Sequence, residues 1–127
     1  VTDSSTLLQI AIREAVKSPM SYRHGAVLIS KNKILGSGFN SFSSSVGNVN
    51  FQVPGRKKPC VHAEVSALKG LRHDQIRGST MFVIRINRDH DLKMSYPCKR
   101  CVSMLRRKGV RKVTFSTGNG YFDHIYL

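Results

Sequence analysis

The chain has 127 residues, 40% of them apolar, and carries 21 Lys and Arg against 7 Asp and Glu, a formal charge of +14. That length suits one domain, expected over 1–127, with a buried core and no room for two ordinary ones. No apolar run approaches the roughly 18–20 residues that span a membrane, and the first residues lack the basic-then-apolar pattern of a secretory leader. The 3 cysteines, two of them at metal-ligand spacing, argue against a disulfide scaffold, so a reducing intracellular compartment, cytoplasmic or nuclear, is expected. A field of this sign attracts polyanions and is screened by salt; the plainer reading is solubility.

Thr6 to Lys17 reads as an amphipathic helix. Leu7, Ile10, Ala11 and Ala15 share a face, Ser4 and Ser5 can cap it, and Ser18-Pro19 ends it. Ala26 to Ile29 is a short strand, and Asn32-Lys33 turns the chain into a second, Lys33 to Phe39, which predicts a hairpin. Asn40 to Lys58 is rich in Ser, Asn and Gly and reads as a long loop carrying Phe42, Phe51 and the triplet Arg56-Lys57-Lys58.

Val61 to Leu71 is a predicted helix with Val65, Leu68 and Leu71 on its buried side. Met81 to Ile86 is a strand, and Asp89 to Tyr96 a connection. Cys98 to Lys108 is a helix whose inward face holds Cys98, Cys101, Val102 and Leu105, with Pro97 at its start and Gly109 as its stop. Lys112 to Ser116 is a strand, Gly118-Asn119-Gly120 a tight turn, and Tyr121 to Tyr126 the last strand. The order α-β-β-α-β-α-β-β predicts an α/β fold, a three-layer α/β/α sandwich around a five-stranded mixed sheet. There is no internal repeat.

Two segments carry chemistry: His62-Ala63-Glu64, then Pro97-Cys98-Lys99-Arg100-Cys101, with 36 residues from His62 to Cys98. Cys98 and Cys101 lie three apart at a helix start, so both sulfurs face one side. The helix N-terminus beside them favours thiolate. Two sulfurs and the His62 nitrogen fill three corners of a tetrahedron and leave the fourth for water, the arrangement of a catalytic zinc. Zinc lowers the pKa of that water to about 7. Glu64, one of only 2 glutamates, is placed to shuttle the proton. The alternative is a closed structural Zn2+ site with Cys60, or His24, His90 or His124, as the fourth ligand. Cys60 otherwise reads as a small buried residue.

The two half-motifs, H-x-E and then P-C-x-x-C in this order, resemble the zinc-dependent cytidine deaminase superfamily. That superfamily includes free-nucleotide deaminases, tRNA adenosine deaminases and single-strand cytosine deaminases. His24 to Ile29 and Gly38-Phe39-Asn40 extend the resemblance from about Arg23 to the last strand. It implies a sheet of the cytidine deaminase type and Zn2+ bound by His62, Cys98 and Cys101. It also implies Glu64 as the catalytic carboxylate, and substrate contacts from Asn40, with Phe39 beside it, and from the backbone N–H of Ala63. Asn40 can equally be a turn residue tolerant of left-handed backbone. Tyr96, where many relatives have Ser, Thr or Glu, can stack on a base or simply pack.

One departure is informative. Members acting on tRNA adenosine, deoxycytidylate or single-stranded DNA generally place a helix between the last two strands, which makes those strands parallel. Here only Gly118-Asn119-Gly120 intervenes. The last two strands are therefore predicted to be antiparallel, as in free-cytidine deaminases and some bacterial toxin deaminases.

The substrate is read from charge. Lys99, Arg100, Arg106, Arg107, Lys108, Arg111 and Lys112 cluster on and after the third predicted helix, with no acid among them. Arg56, Lys57 and Lys58 run directly into His62-Ala63-Glu64 and, with Phe42 and Phe51, suit phosphate binding and base stacking. The leading expectation is deamination of cytosine to uracil in single-stranded nucleic acid, DNA or RNA. Free cytidine, deoxycytidine or their nucleotides come second, and adenosine in RNA third. A catalytically silent zinc-containing nucleic-acid-binding module is the non-enzymatic alternative. Self-association into a homo-oligomer is compatible with all of these, and no membrane partner is expected.

Overall fold

The computed structural model describes residues 4–42 and 60–127. In chain order its elements are α1 (Ser4–Val16), β1 (Arg23–Ser30), β2 (Lys33–Phe39), β3 (Ser41–Phe42), β4 (Cys60–Val61) and α2 (Ala63–Leu68). They continue with α3 (His73–Ile76), β5 (Thr80–Ile86), β6 (Leu92–Lys93), α4 (Lys99–Lys108), β7 (Lys112–Ser116) and β8 (Phe122–Tyr126).

One mixed sheet runs β2-β1-β5-β7-β8. β1 pairs antiparallel with both β2 and β5, β5 and β7 are parallel, and β7 and β8 are antiparallel, as the short Gly118–Gly120 turn requires. The β1–β2 turn sits on Lys31 (φ 52°) and Asn32 (φ 64°), the left-handed pair that suits a two-residue hairpin. β1 and β5 lie inside the sheet, and their apolar runs are buried on both faces.

Side-chain alternation along the strands divides the core into two layers. Val27, Phe82, Ile84 and Ile86 face α1 through Ala11 and Ala15, with Leu7 and Ile10 packed alongside. Ala26, Leu28, Met81, Val83 and Val113 face the other way, onto Ala67, Leu68, Ile76, Met104 and Leu105 from α2, α3 and α4. The three-layer α/β/α sandwich follows. Among the described residues no helix is long and apolar enough to cross a membrane.

Four local expectations are corrected. The helix expected over 61–71 is only Ala63–Leu68, because Lys69 leaves helical backbone (ψ 129°) and Gly70 turns left-handed (φ 80°). Its buried residues are Ala63, Glu64, Ala67 and Leu68, with Val65 half-buried, since the helix lies flat on β1 and β2 through its small side chains. That close approach depends on Gly38, where a Cβ would stand 2.5 Å from Ser66 Cβ.

In α4 the inward residues are Cys101, Met104 and Leu105, the i, i+3, i+4 set, while Val102 is half-buried and Cys98 exposed. Cys98 is the N-cap, one step outside the helix, and left-handed Gly109 ends it as expected (φ 99°). The long loop begins with β3, which pairs Ser41 with Val61 and Phe42 with Cys60. The connection after β5 folds back as β6, pairing Arg85 with Lys93, over a turn that Asn87 caps through the N–H groups of Asp89 and Asp91. Propensity gives little warning of a two-residue strand or of four-residue α3, whose start is closed by Gln75 accepting from the Arg72 N–H.

Candidate metal centre and active site

His62 and Cys98 occupy equivalent positions at the starts of two helices packed on one face of the sheet. Each is an N-cap with extended backbone, His62 (φ −74°, ψ 153°) for α2 and Cys98 (φ −69°, ψ 162°) for α4. An N-cap side chain projects back over the helix start, so the two helix N-termini aim their ligands at one point. The segment before Cys98 is fixed by Ser95, whose hydroxyl donates to the Val83 carbonyl at 3.0 Å and accepts from the Ser116 N–H at 2.9 Å. Ser95 is 2% exposed.

His62 Nδ1 lies 3.2 Å from Cys101 Sγ and 3.8 Å from Cys98 Sγ, and all three donor atoms fall within 4.8 Å of one another. Donors sharing a tetrahedral zinc, at about 2.0 Å for nitrogen and 2.3 Å for sulfur, stand about 3.5 Å apart. The set fits zinc. Among the described residues His24, His90 and His124 do not join it. The Cys60 side chain lies outside the described residues, as do Phe51, Arg56, Lys57 and Lys58.

The two thiols are driven apart in acidity. The Cys101 thiol and then His62 pull Cys98 down from 9.0 to about 3, and the Cys101 backbone N–H, 3.4 Å from the Cys98 sulfur, adds to this. Cys101 is pushed up, first by the Cys98 thiolate and then by its own burial. One thiolate therefore exists at neutral pH before any cation arrives.

Glu64 sits in the first turn of α2, two residues past His62 and 5% exposed. Burial pushes its carboxyl above the ordinary 4.5, against the pull of its own backbone N–H and of His62. Among the described residues no ion pair joins a cationic side chain to this buried carboxyl, an environment that suits proton traffic better than structural support.

Glu64, His62 and Ala63 form one wall of a cavity of about 240 Å³. Among the described residues Tyr22, His24, Asn40, Met20, Ser21 and Phe42 line it too. Asn40, 7% exposed, donates from Nδ2 to the Tyr22 carbonyl at 2.6 Å and accepts on Oδ1 from the His24 N–H at 2.8 Å. It thus holds the cavity wall in place, and its backbone is not left-handed, so the turn-residue reading falls. His24 is brought down from 6.5 to about 4, chiefly by burial, and is neutral at neutral pH.

Phe39 is half-buried at the end of β2 and, like Tyr96, is not among the described residues lining the cavity. Tyr96 is 57% exposed and packs edge-on against Phe115 at 5.0 Å, which favours packing over stacking. Tyr22, Met20 and Ser95 carry no motif that marks them as site residues, and His24, a candidate fourth zinc ligand from the sequence, lines the cavity instead. For Tyr22 and His24 a signal existed: hairpin pairing sets Gly25 opposite Phe39 and so brings residues 22–24 to the end already marked by Asn40.

The fold is similar to that of a cytidine deaminase from Burkholderia pseudomallei, with a TM-score of 0.68 at 19% identity over 98% of this chain and 93% of that one. A dCMP deaminase from the cyanophage S-TIM5 gives a TM-score of 0.56 at 22% identity, covering 93% and 87%. In sequence the chain is 28% identical over 109 residues to a deoxycytidylate deaminase from Pongo abelii, covering 78% of this chain. It spans about half of that relative, 54% of its length. The family described as the cytidine and deoxycytidylate deaminase zinc-binding region matches residues 1–117, and this chain belongs to that family.

Proposed function

We propose that the protein hydrolytically deaminates the cytosine base of a cytidine or deoxycytidine compound, free or as its nucleotide, giving uracil and ammonia. One observation carries this: His62, Cys98 and Cys101 converge within 4.8 Å of one another, and His62 lines a cavity together with the buried Glu64. At about 240 Å³ the cavity is smaller than the roughly 300–1,000 Å³ of pockets for drug-sized ligands. It suits one small molecule, or one unit of a larger one.

Zinc, the cofactor, is held by His62, Cys98 and Cys101 and supplies the Lewis acidity that makes water a competent nucleophile near neutral pH. Glu64 takes a proton from the attacking water and passes it to the ring nitrogen. It then delivers the second proton to the amino group, so that the C–N bond breaks as the C–O bond is completed and ammonia leaves. Burial raises its pKa, a shift in the direction that suits a group which both accepts and returns a proton. The Ala63 N–H, in the first turn of α2 where helix donors lack intrahelical partners, meets the exocyclic oxygen of the base. Tyr22 and Phe42 offer apolar surface to the ring, and Asn40 keeps Tyr22 and His24 in register.

The charge favours a second reading, cytosine in single-stranded nucleic acid. Lys99, Arg100, Arg106, Arg107, Lys108 and Arg111 are all exposed on and after α4, the helix that Cys98 caps. A basic outer face is often only solvated, so the family relationship gives the free nucleoside or nucleotide precedence. Product analysis by mass spectrometry on a panel of cytidine, deoxycytidine, their monophosphates and oligonucleotides tests both readings. Turnover confined to oligonucleotides, falling steeply with salt, would reverse their order.

A further inference from the structure

Arg85 stands immediately behind two cavity residues. In the β1–β5 ladder it is the direct partner of His24, and its guanidinium carbon lies 4.3 Å from the ring centroid of Tyr22. Met81, Val83 and Arg85 alternate onto one face of β5, the face that carries α2 and α4, so the side chain rises on the side of the metal centre. Its Nε is shut from solvent and has no hydrogen-bond partner. Neither ion pair among the described residues involves it: these join Lys17 to Glu14 and Arg72 to Asp74.

A buried guanidinium N–H without an acceptor is costly unless something supplies one. Glu64, the one acid among the described residues lining the cavity, forms no ion pair with Arg85. The stack on Tyr22 occupies only the face of the guanidinium, and its in-plane donors are the part that recognises phosphate in a two-point pair. The cover is light. Tyr22 is 64% exposed, and a ring displaced by an arriving anion exchanges a cation–π contact for a stronger charge-assisted pair.

We infer that Arg85 receives the phosphate of the substrate and makes this site select phosphorylated cytosine compounds over bare nucleosides. The inference rests on the deaminase reading above. A nucleotide's phosphate monoester and the phosphodiester of a single strand offer the same chemistry to Arg85, and the experiment separates them.

The zinc-loaded full chain is assayed on deoxycytidine, dCMP and a short single-stranded oligodeoxycytidine, alongside Arg85→Gln and Arg85→Lys proteins matched in zinc content. Wild-type kcat/KM for dCMP or for the oligonucleotide is expected to exceed that for deoxycytidine by roughly 10–100-fold. In Arg85→Gln that ratio collapses through KM, and Arg85→Lys keeps part of it. A collapse confined to dCMP identifies the monoester, and one confined to the oligonucleotide identifies the diester. An unchanged ratio, or equal losses on all three substrates, would overturn the inference and leave Arg85 a prop for Tyr22. Inorganic phosphate gives an arm independent of turnover: it should raise the unfolding midpoint of the wild type more than that of Arg85→Gln. If no cytosine compound is deaminated but this difference appears, the deaminase reading fails and the anion site stands. Equal stabilisation of both proteins overturns the site.

Discussion

His62 Nδ1 and Cys101 Sγ lie 3.2 Å apart although 39 residues separate them in the chain. Each belongs to the start of a helix packed on the same face of the sheet, and only the fold brings them together. Cys101 is 0% exposed, so its sulfur is both ligand and core. Cys101→Ser should therefore lose more than the roughly 10–100-fold in zinc affinity that loss of an outer-shell partner costs. Competition against a chelating dye measures it, and an affinity within a fewfold of wild type would remove Cys101 from the ligand set.

Zinc uptake should be pH-dependent with a defined stoichiometry. Cys98, pulled down to about 3, is already a thiolate at neutral pH, whereas Cys101, pushed up by Cys98 and by burial, still holds its proton. Binding near pH 7 should then release about one thiol proton, and affinity should rise with pH. Calorimetry in buffers of different ionisation enthalpy counts the protons. Release of about two would mean that the thiols are not split.

His24 makes the zinc-free protein acid-sensitive. Its folded pKa is lowered from 6.5 to about 4, first by burial and then by the charges of Arg85 and His62. Between those values the unfolded chain binds a proton that the folded one refuses, so this contribution to stability is lost as pH falls from 6.5 toward 4. His24→Gln should lose less stability over that window. Urea midpoints of both zinc-free proteins near its two ends test this, and parallel losses would contradict it.

Gly38 sets how closely α2 approaches the sheet. A Cβ there would stand 2.5 Å from Ser66 Cβ and 2.7 Å from the Ala67 backbone nitrogen, neither of which can move without shifting the helix. Gly38→Ala should cost about 1–3 kcal/mol and weaken zinc binding, because His62 and Glu64 travel with α2. Gly118→Ala, with nothing within 4 Å and no left-handed backbone, should stay within about 0.5 kcal/mol. Denaturant unfolding of the two variants decides it; equal, small effects would mean that α2 adapts freely.

Much of this was legible in the sequence because the signals were local and redundant. β2 and β7 match their expected bounds, Gly109 ends α4, and the Gly118–Gly120 turn yields the antiparallel β7–β8 pair. His62, Cys98 and Cys101 could be grouped from residue type and spacing alone. What escaped depends on tertiary pairing. Tyr22 and His24 reach the cavity because Asn40 bonds their backbone across the hairpin end, and Ser95 matters because it meets Val83 and Ser116 across the sheet. Arg85 looked like any polar strand residue until the register placed it opposite His24. Charge, summed over the whole chain, names a class of partner without naming the residue that meets it.

The central claim is that Glu64 moves the protons of a cytosine deamination at the zinc centre. The most direct measurement is mass spectrometry of products from deoxycytidine, dCMP and a short oligodeoxycytidine, with wild-type protein and Glu64→Gln each at full zinc occupancy. The wild type should convert at least one of them to the uracil product with release of ammonia. Glu64→Gln should lose about 10²–10⁴-fold in kcat while retaining zinc and fold. No uracil product from any of the three with the metal bound, or undiminished turnover by Glu64→Gln, would contradict the account.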